Sequence, residues 1–322
     1  MLNQNDKLIL APIRGVTNFI YRNSLETSFG GADSALAPYI VTKESGELNK
    51  RQLEDLDVSK NLLPTTAQVL TKSAKQFIHA AHAYKELGVT RINLNMGCPY
   101  PMVANRTKGS GLLLHPDKVK DLLYEIKRDC PIEFTVKIRL GRENAQELKE
   151  IIPFINELNI TDFTIHARYG CQIYKGSVDI DAFEQCLPLL DTTPCYNGDI
   201  RTPNDFSIFS KRLTTVNRWM IGRGVLSNPA LLAQIRGEVF NEQSYRAKLI
   251  KMHKSLCDGY MGLDNAKSDF LTRMREQWFY LKDIFDLDHK VYKKIKKVKT
   301  LEQYEQATEW IFEQELKESI LN

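Results

Sequence analysis

The chain has 322 residues, 43% of them hydrophobic and 26% charged, with a formal net charge of +4. That length suits one large domain with a small one, or two ordinary domains, and the composition is that of a soluble globular protein. No apolar run is long enough to span a bilayer, and the start, MLNQNDKLILAPI, lacks the basic head and apolar core of a signal peptide, so the expected location is the cytoplasm, with no membrane partner.

Eight strand-like runs follow in chain order, at 7–13, 34–40, 65–70, 91–97, 134–140, 162–168, 194–199 and 218–224. Helical patterns fill the gaps, the clearest at 73–88, 115–129 and 144–159, with Pro153 expected to kink or break the last. Strand then helix, repeated across residues 1–240, predicts an α/β fold, a closed (β/α)8 TIM barrel. From 241 to 322 only helical patterns occur, which predicts a C-terminal all-helical domain.

Six cysteines, at 98, 130, 171, 186, 195 and 257, form no CxxC pair, so no metal site is expected. Most are expected to be reduced core thiols, Cys171 and Cys195 among them. Nothing in the sequence calls for more than a monomer.

In a TIM barrel, chemistry gathers at the C-terminal ends of the strands. The first run ends in Ala11-Pro12-Ile13, the third carries Gln68, and the fourth carries Asn95 with Cys98 just beyond. The fifth carries Lys137 and Arg139, the sixth His166 and Arg168, the seventh Asn197-Gly198-Asp199, and the eighth Gly222-Arg223-Gly224. Polar groups at the exits of buried strands cost free energy unless something binds them. Singly, Cys98 reads as a buried thiol, His166 as a satisfied core histidine, and Arg139 and Arg168 as ion-pair partners. Delivered together to one rim, they predict a site. The glycines of the last two runs suit a phosphate, to which Arg223 adds a fork of donors. Gln68 and Asn95 suit the edge of a planar heterocycle.

The tail holds HKVYKKIKKVK, with no acid between Asp288 and Glu302. Lys290, Lys293, Lys294 and Lys297 share one helical face; Val291, Ile295 and Val298 share another. A solvated face is the commoner reading of a charge run, and contact with an RNA backbone is the functional one. Trp278, near Arg273 and Arg275, is expected in the core.

The stretches LAPIRGVTNFIYR, NLNMGCP with a following GSGLLL, VKIRLG, IHAR, NGDI and IGRG, in this order, resemble the tRNA-dihydrouridine synthase family over nearly the whole chain. The resemblance implies an FMN-dependent enzyme that uses NADPH to reduce the C5–C6 double bond of a uridine in tRNA. It implies that Cys98 protonates C5 after hydride reaches C6, and that the base leaves its stack to react. Ala11, Pro12, Ile13, Gln68, Lys137, His166, Asn197, Gly198, Asp199, Gly222 and Arg223 would then hold FMN. Asn95, Arg139, Arg168 and the four tail lysines would hold the tRNA. The overall length and tail resemble the branch acting on the D-loop, at position 16 or a neighbour. The same reaction on ribosomal RNA, a small-molecule FMN reductase and a non-catalytic RNA-binding barrel remain alternatives. One departure stands in the loop: many members carry Lys where this chain has Pro101, and ANRTKG replaces a more Gly-rich turn.

Overall fold

The computed structural model describes residues 2–42, 47–263 and 266–321. Its strands are β1 (Lys7–Leu10), β2 (Ser34–Leu36), β3 (Ile40–Val41), β4 (Thr65–Leu70), β5 (Arg91–Met96), β6 (Glu133–Gly141), β7 (Phe163–Tyr169), β8 (Cys195–Asn197) and β9 (Arg218–Ile221). They run parallel in the order β2-β1-β9-β8-β7-β6-β5-β4, and a β2–β4 pairing closes the ring. The result is the expected eight-position barrel with helices around it.

One predicted strand is in two pieces. β2 and β3 both pair with β4, Leu36 opposite Thr66 and Ile40 opposite Val69. The break lies at Ala37–Tyr39, where Pro38 has no N–H for a ladder.

The helix Gln146–Glu157 runs through Pro153, so the break allowed for there does not occur. Pro153 is exposed, whereas Leu148, Ile151, Ile152 and Ile155 are buried. Burial of that stripe outweighs the roughly 3 kcal/mol that an interior proline costs.

Most of the core lies between the strands and the surrounding helices. The barrel lumen is different. On one side Ile9, Ala11, Leu36, Cys195 and Met220 form a small apolar cluster. Gln68, Asn93, Asn95, Thr135 and His166 are also buried, at lumen-facing positions of the other strands. A polar lumen leaves room for ligand chemistry at its upper end.

Past residue 241 come the helices Glu242–Met261, Ala266–Leu281, Asp288–Lys297, Leu301–Phe312 and Glu318–Leu321. The first lies on the barrel helix Phe19–Ser28, with Ser255 and Ser24 hydroxyls 2.8 Å apart. Trp278 is fully buried, as expected, and donates to the Tyr304 hydroxyl at 2.9 Å. Val291, Ile295 and Val298 are buried too, while Lys290, Lys293 and Lys297 are exposed. Lys294 is half-buried, its ammonium 4.3 Å from the centre of the Trp310 ring. No described helix is long and apolar enough to cross a membrane.

Candidate active site

The strand register brings the polar residues together. Gln68 lies opposite Asn93, Asn95 opposite Lys137, and Arg139, His166 and Asn197 are successive neighbours across β6, β7 and β8. Three buried amides form a chain: Asn95 Nδ2 donates to Gln68 Oε1 at 3.0 Å, and Gln68 Nε2 to Asn93 Oδ1 at 2.8 Å. Asn93 Nδ2 donates to Thr135 Oγ1 at 2.8 Å. Each link satisfies a group that would be costly to bury alone.

Asn95 Oδ1 faces the loop beyond β5. It accepts the backbone N–H groups of Gly97 at 3.0 Å and Cys98 at 2.9 Å. Ser110 fixes the other side, its N–H and hydroxyl donating to the Cys98 carbonyl at 2.9 and 3.1 Å. Gly109 has φ +56°, and a Cβ there would lie 2.6 Å from that carbonyl, so the GSGLLL turn needs glycine at this point. Pro101 opens the short helix Pro101–Ala104, where its missing N–H costs nothing. Cys98 is 5% exposed, and its thiol lies 3.6 Å from the Tyr39 hydroxyl.

Two adjoining hollows open at this rim. The larger, about 1070 Å³, is walled by Cys98, Asn95, Gln68, Tyr39 and Arg139 among others. The smaller, about 570 Å³, is walled by Ala11, Asn197, Gly198, Asp199, Arg201 and Gly222 among others. Pro12, Ile13, Lys137, His166, Tyr174 and Arg223 line both, so they form one cleft.

The smaller end is cationic. Lys137 Nζ donates to Asn197 Oδ1 at 2.7 Å, and Asn197 Nδ2 donates to Met220 O at 2.7 Å. Burial, reinforced by Arg139, brings the Lys137 ammonium down to about 7. Burial, then Arg139, Lys137, Arg168 and Arg223, holds His166 well below the ordinary histidine range. Its imidazole is therefore neutral at physiological pH. Asp199, the only carboxylate among the described lining residues, is already engaged by Arg168 at 2.5 Å and Arg223 at 3.4 Å. Gly198 has φ +147°, and a Cβ there would meet Val178 at 2.5 Å. Small residues, cations and the first N–H groups of the helix Arg223–Ser227 suit an anionic ligand such as a phosphate. The donor set fits a flavin mononucleotide on these grounds.

All the expected FMN residues line the cleft, with Cys98, Asn95 and Arg139. Arg168 lines neither part and is buried behind it. Its guanidinium binds Asp199 and the Gly176 carbonyl, and stands 3.3 Å from His166 Nε2. Arg139 donates to the carbonyls of Gly97, Tyr169 and Ile173 at 2.9, 2.8 and 2.7 Å. It braces the loop that carries Tyr174. The tail lysines lie outside the cleft walls. Cys195 packs in the lumen, but Cys171 is exposed, contrary to expectation. Its backbone is tied to Arg142 O in the turn Gly170–Gln172.

Several wall residues escaped the sequence reading, Arg14, Tyr100 and Arg201 among them, and four aromatic ones stand out. Tyr39 stands in the β2–β3 break, and the Tyr174 ring lies 5.4 Å from the Arg139 guanidinium and 5.3 Å from that of Arg223. Phe279 and Tyr280 reach the cleft from the helix Ala266–Leu281. The available signal was aromatic residues in segments flanking the motifs, APY, QIYKG and QWFYLK.

A family model described as dihydrouridine synthase matches residues 9–321. The chain is 28% identical over 242 residues to a tRNA-dihydrouridine(16) synthase of Neisseria meningitidis serogroup A, covering 72% of each chain. It is 28% identical over 282 residues to tRNA-dihydrouridine synthase B of Klebsiella pneumoniae, covering 85% of this chain and 86% of that one. Among solved structures it resembles an old yellow enzyme from Trypanosoma cruzi, with a TM-score of 0.53 at 11% identity, over 74% of this chain and 91% of that one. It also resembles morphinone reductase, with a TM-score of 0.55 at 9% identity, over 74% and 88%. At these identities the two likenesses speak to the fold alone. The family match spans barrel and helical tail alike, and the chain belongs to the dihydrouridine synthase family.

Proposed function

We propose that this chain is an FMN-dependent tRNA-dihydrouridine synthase that reduces the C5–C6 bond of a D-loop uridine, with NADPH as reductant. The observation that carries the reading is the shared cleft: the Cys98 thiol opens into the same hollow as a cationic, glycine-walled chamber.

Gly198, Asp199, Gly222 and Arg223 would hold the FMN phosphate side. Ala11, Pro12, Ile13, Gln68, Lys137, His166 and Asn197 would hold its ring system. When bound, the flavin supplies the hydride that adds at C6 of the uracil. Cys98 Sγ then gives its proton to C5, so the thiol rather than the thiolate is the working form. Asn95 seats the Cys98 loop and, from the cleft wall, would meet the base. Arg139 holds the Tyr174 loop against the cleft, and Arg168 acts through His166 and Asp199. Lys137, which these protein groups alone hold charged only below about pH 7, stays charged to higher pH beside an anion.

The labour divides near residue 240: the barrel does the chemistry and the helical region holds tRNA. Lys290, Lys293 and Lys297 supply backbone contacts, with Lys294 at their edge against Trp310. Position 16 is the leading choice of uridine, supported by the name of the Neisseria relative.

The test is an anaerobic one. Protein carrying pre-reduced flavin is mixed with unmodified tRNA, ribosomal RNA or free uridine, and flavin absorbance is followed. Reoxidation by tRNA alone is expected. Reoxidation by ribosomal RNA alone moves the substrate, and reoxidation by free uridine as fast as by tRNA makes the protein a small-molecule reductase.

A further inference from the structure

Tyr39 belongs to no strand and donates nothing to the barrel ladder. It sits in the interruption between β2 and β3, where Ala37 N–H still reaches Thr66 O at 3.0 Å and pairing resumes at Ile40. The Arg14 guanidinium lies 5.5 Å from the centre of its ring, which fixes the ring from the β1 side. Its hydroxyl lies 3.6 Å from Cys98 Sγ, within hydrogen-bond reach for sulfur. Among the described residues this is the side-chain group bonded to that sulfur.

We propose that Tyr39 is a positioning residue for the Cys98 thiol, directing its S–H and donating its own O–H to the thiolate that proton transfer leaves. The inference rests on the reading of Cys98 as the proton donor. In that step the S–H bond breaks and both its electrons stay on sulfur. The proton forms the new C–H bond at C5, where hydride addition at C6 from the reduced flavin has left the negative charge. Tyr39 keeps its proton throughout, because burial, followed by the bond to Cys98, pushes the phenol up to about 12. Solvent restores the thiol afterwards.

The other groups facing this sulfur are Arg139 from β6 and Tyr174 from the loop after β7. Arg139 commits three of its donors to backbone carbonyls, and Tyr174 is not hydrogen-bonded to the sulfur. A new anion in a nearly buried position needs a directed donor, and the Tyr39 hydroxyl supplies it.

The experiment follows alkylation of Cys98 by iodoacetamide across about pH 6 to about pH 10, the range of thiol ionisation. Peptide mass mapping separates Cys98 from the exposed Cys171. Tyr39→Phe keeps the ring and removes only the hydroxyl; Tyr39→Leu removes both. Flavin absorbance and melting temperature report the fold of each holoenzyme. Both variants are expected to ionise Cys98 about one pH unit higher than the wild type, the scale of one lost charge-assisted bond. A midpoint unchanged in either folded variant overturns the proposal, since packing alone would leave it in place. The underlying reading fails separately: full dihydrouridine formation by Cys98→Ala would remove Cys98 as the acid whatever the alkylation midpoint.

Discussion

Asn95 seats Cys98: its side-chain oxygen accepts the Cys98 N–H at 2.9 Å, while its side-chain nitrogen ties the loop to Gln68 in the barrel wall. The amide is thus a bracket between lumen and loop. Asn95→Ala frees the Gly97 and Cys98 N–H groups and leaves the Gln68 oxygen unpaired. A loss of about 1–3 kcal/mol in unfolding free energy is expected from groups so orphaned. Turnover is expected to fall about 100-fold, the penalty of a displacement near 1 Å at the reacting atom. Flavin content should be retained. Denaturant unfolding, flavin absorbance and steady-state kinetics on one preparation check all three, and a variant that loses flavin but not turnover per bound flavin would contradict this role.

Lys137 is the charge at the centre of the cleft. Burial has brought its ammonium down to about 7, so among these protein groups it loses its proton as pH rises through neutrality. FMN affinity of the apoprotein should therefore weaken from about pH 6 to about pH 9, the interval over which the cation is lost. Lys137→Met should bind roughly tenfold more weakly at the lower pH, the scale of one bond to a charged group. The gap should narrow at the higher pH. Fluorescence titration with FMN at both pH values reads it directly; parallel curves for the two proteins would rule Lys137 out as the source.

The barrel was legible because buried parallel strands are apolar runs bounded by breaks, and eight such runs separate helical patterns. The rim was legible for the same reason, since a lysine or histidine in such a run stands out. The partners were not. Arg139 and Arg168 look alike in sequence whether they face a ligand or a carbonyl. Arg139 meets Ile173 across 34 residues, and Tyr39 meets Cys98 across 59, so closure of the ring decides both. The helix passes Pro153 unbroken because the apolar stripe Ile151, Ile152 and Ile155 overrules a local propensity. Trp278 was readable as core because it falls among apolar residues at helical spacing.

The helical region carries an acid-sensitive group. Burial brings His253 down to about 4, and its Nε2 lies 2.7 Å from the Tyr304 hydroxyl. An unfolded histidine titrates near 6.5, so below that pH the unfolded chain binds a proton that the folded chain refuses. Its contribution to stability is complete above about pH 6.5 and declines as pH falls toward 4, by up to roughly 3 kcal/mol. His166, also held low, acts in the same direction. His253→Gln should be less stable at neutral pH but flatter between these limits. Urea unfolding at intervals of pH tests it, and equal slopes for both proteins would contradict the assignment.

Lys290, Lys293 and Lys297 are exposed on one face, with no acid between Asp288 and Glu302. Changing all three to Ala should weaken tRNA binding and reduce the slope of log affinity against log salt by about 2–3, if each neutralises one phosphate. Melting temperature should hold. Lys294→Ala should behave differently, because that ammonium lies on the Trp310 ring and contributes about 0.5–1 kcal/mol to packing. An unaltered salt slope in the triple variant would place the RNA elsewhere.

The proposed reduction of a tRNA uridine in this cleft, with Cys98 as the acid, can be measured on its product. The direct measurement is nucleoside mass spectrometry with fragment mapping of unmodified tRNA after incubation with the flavin-loaded protein and NADPH, beside Cys98→Ala. One D-loop uridine heavier by two hydrogens is expected, with the product lost or strongly reduced in the variant although its flavin is retained. No mass gain at any uridine, or an equal gain with Cys98→Ala, would contradict it.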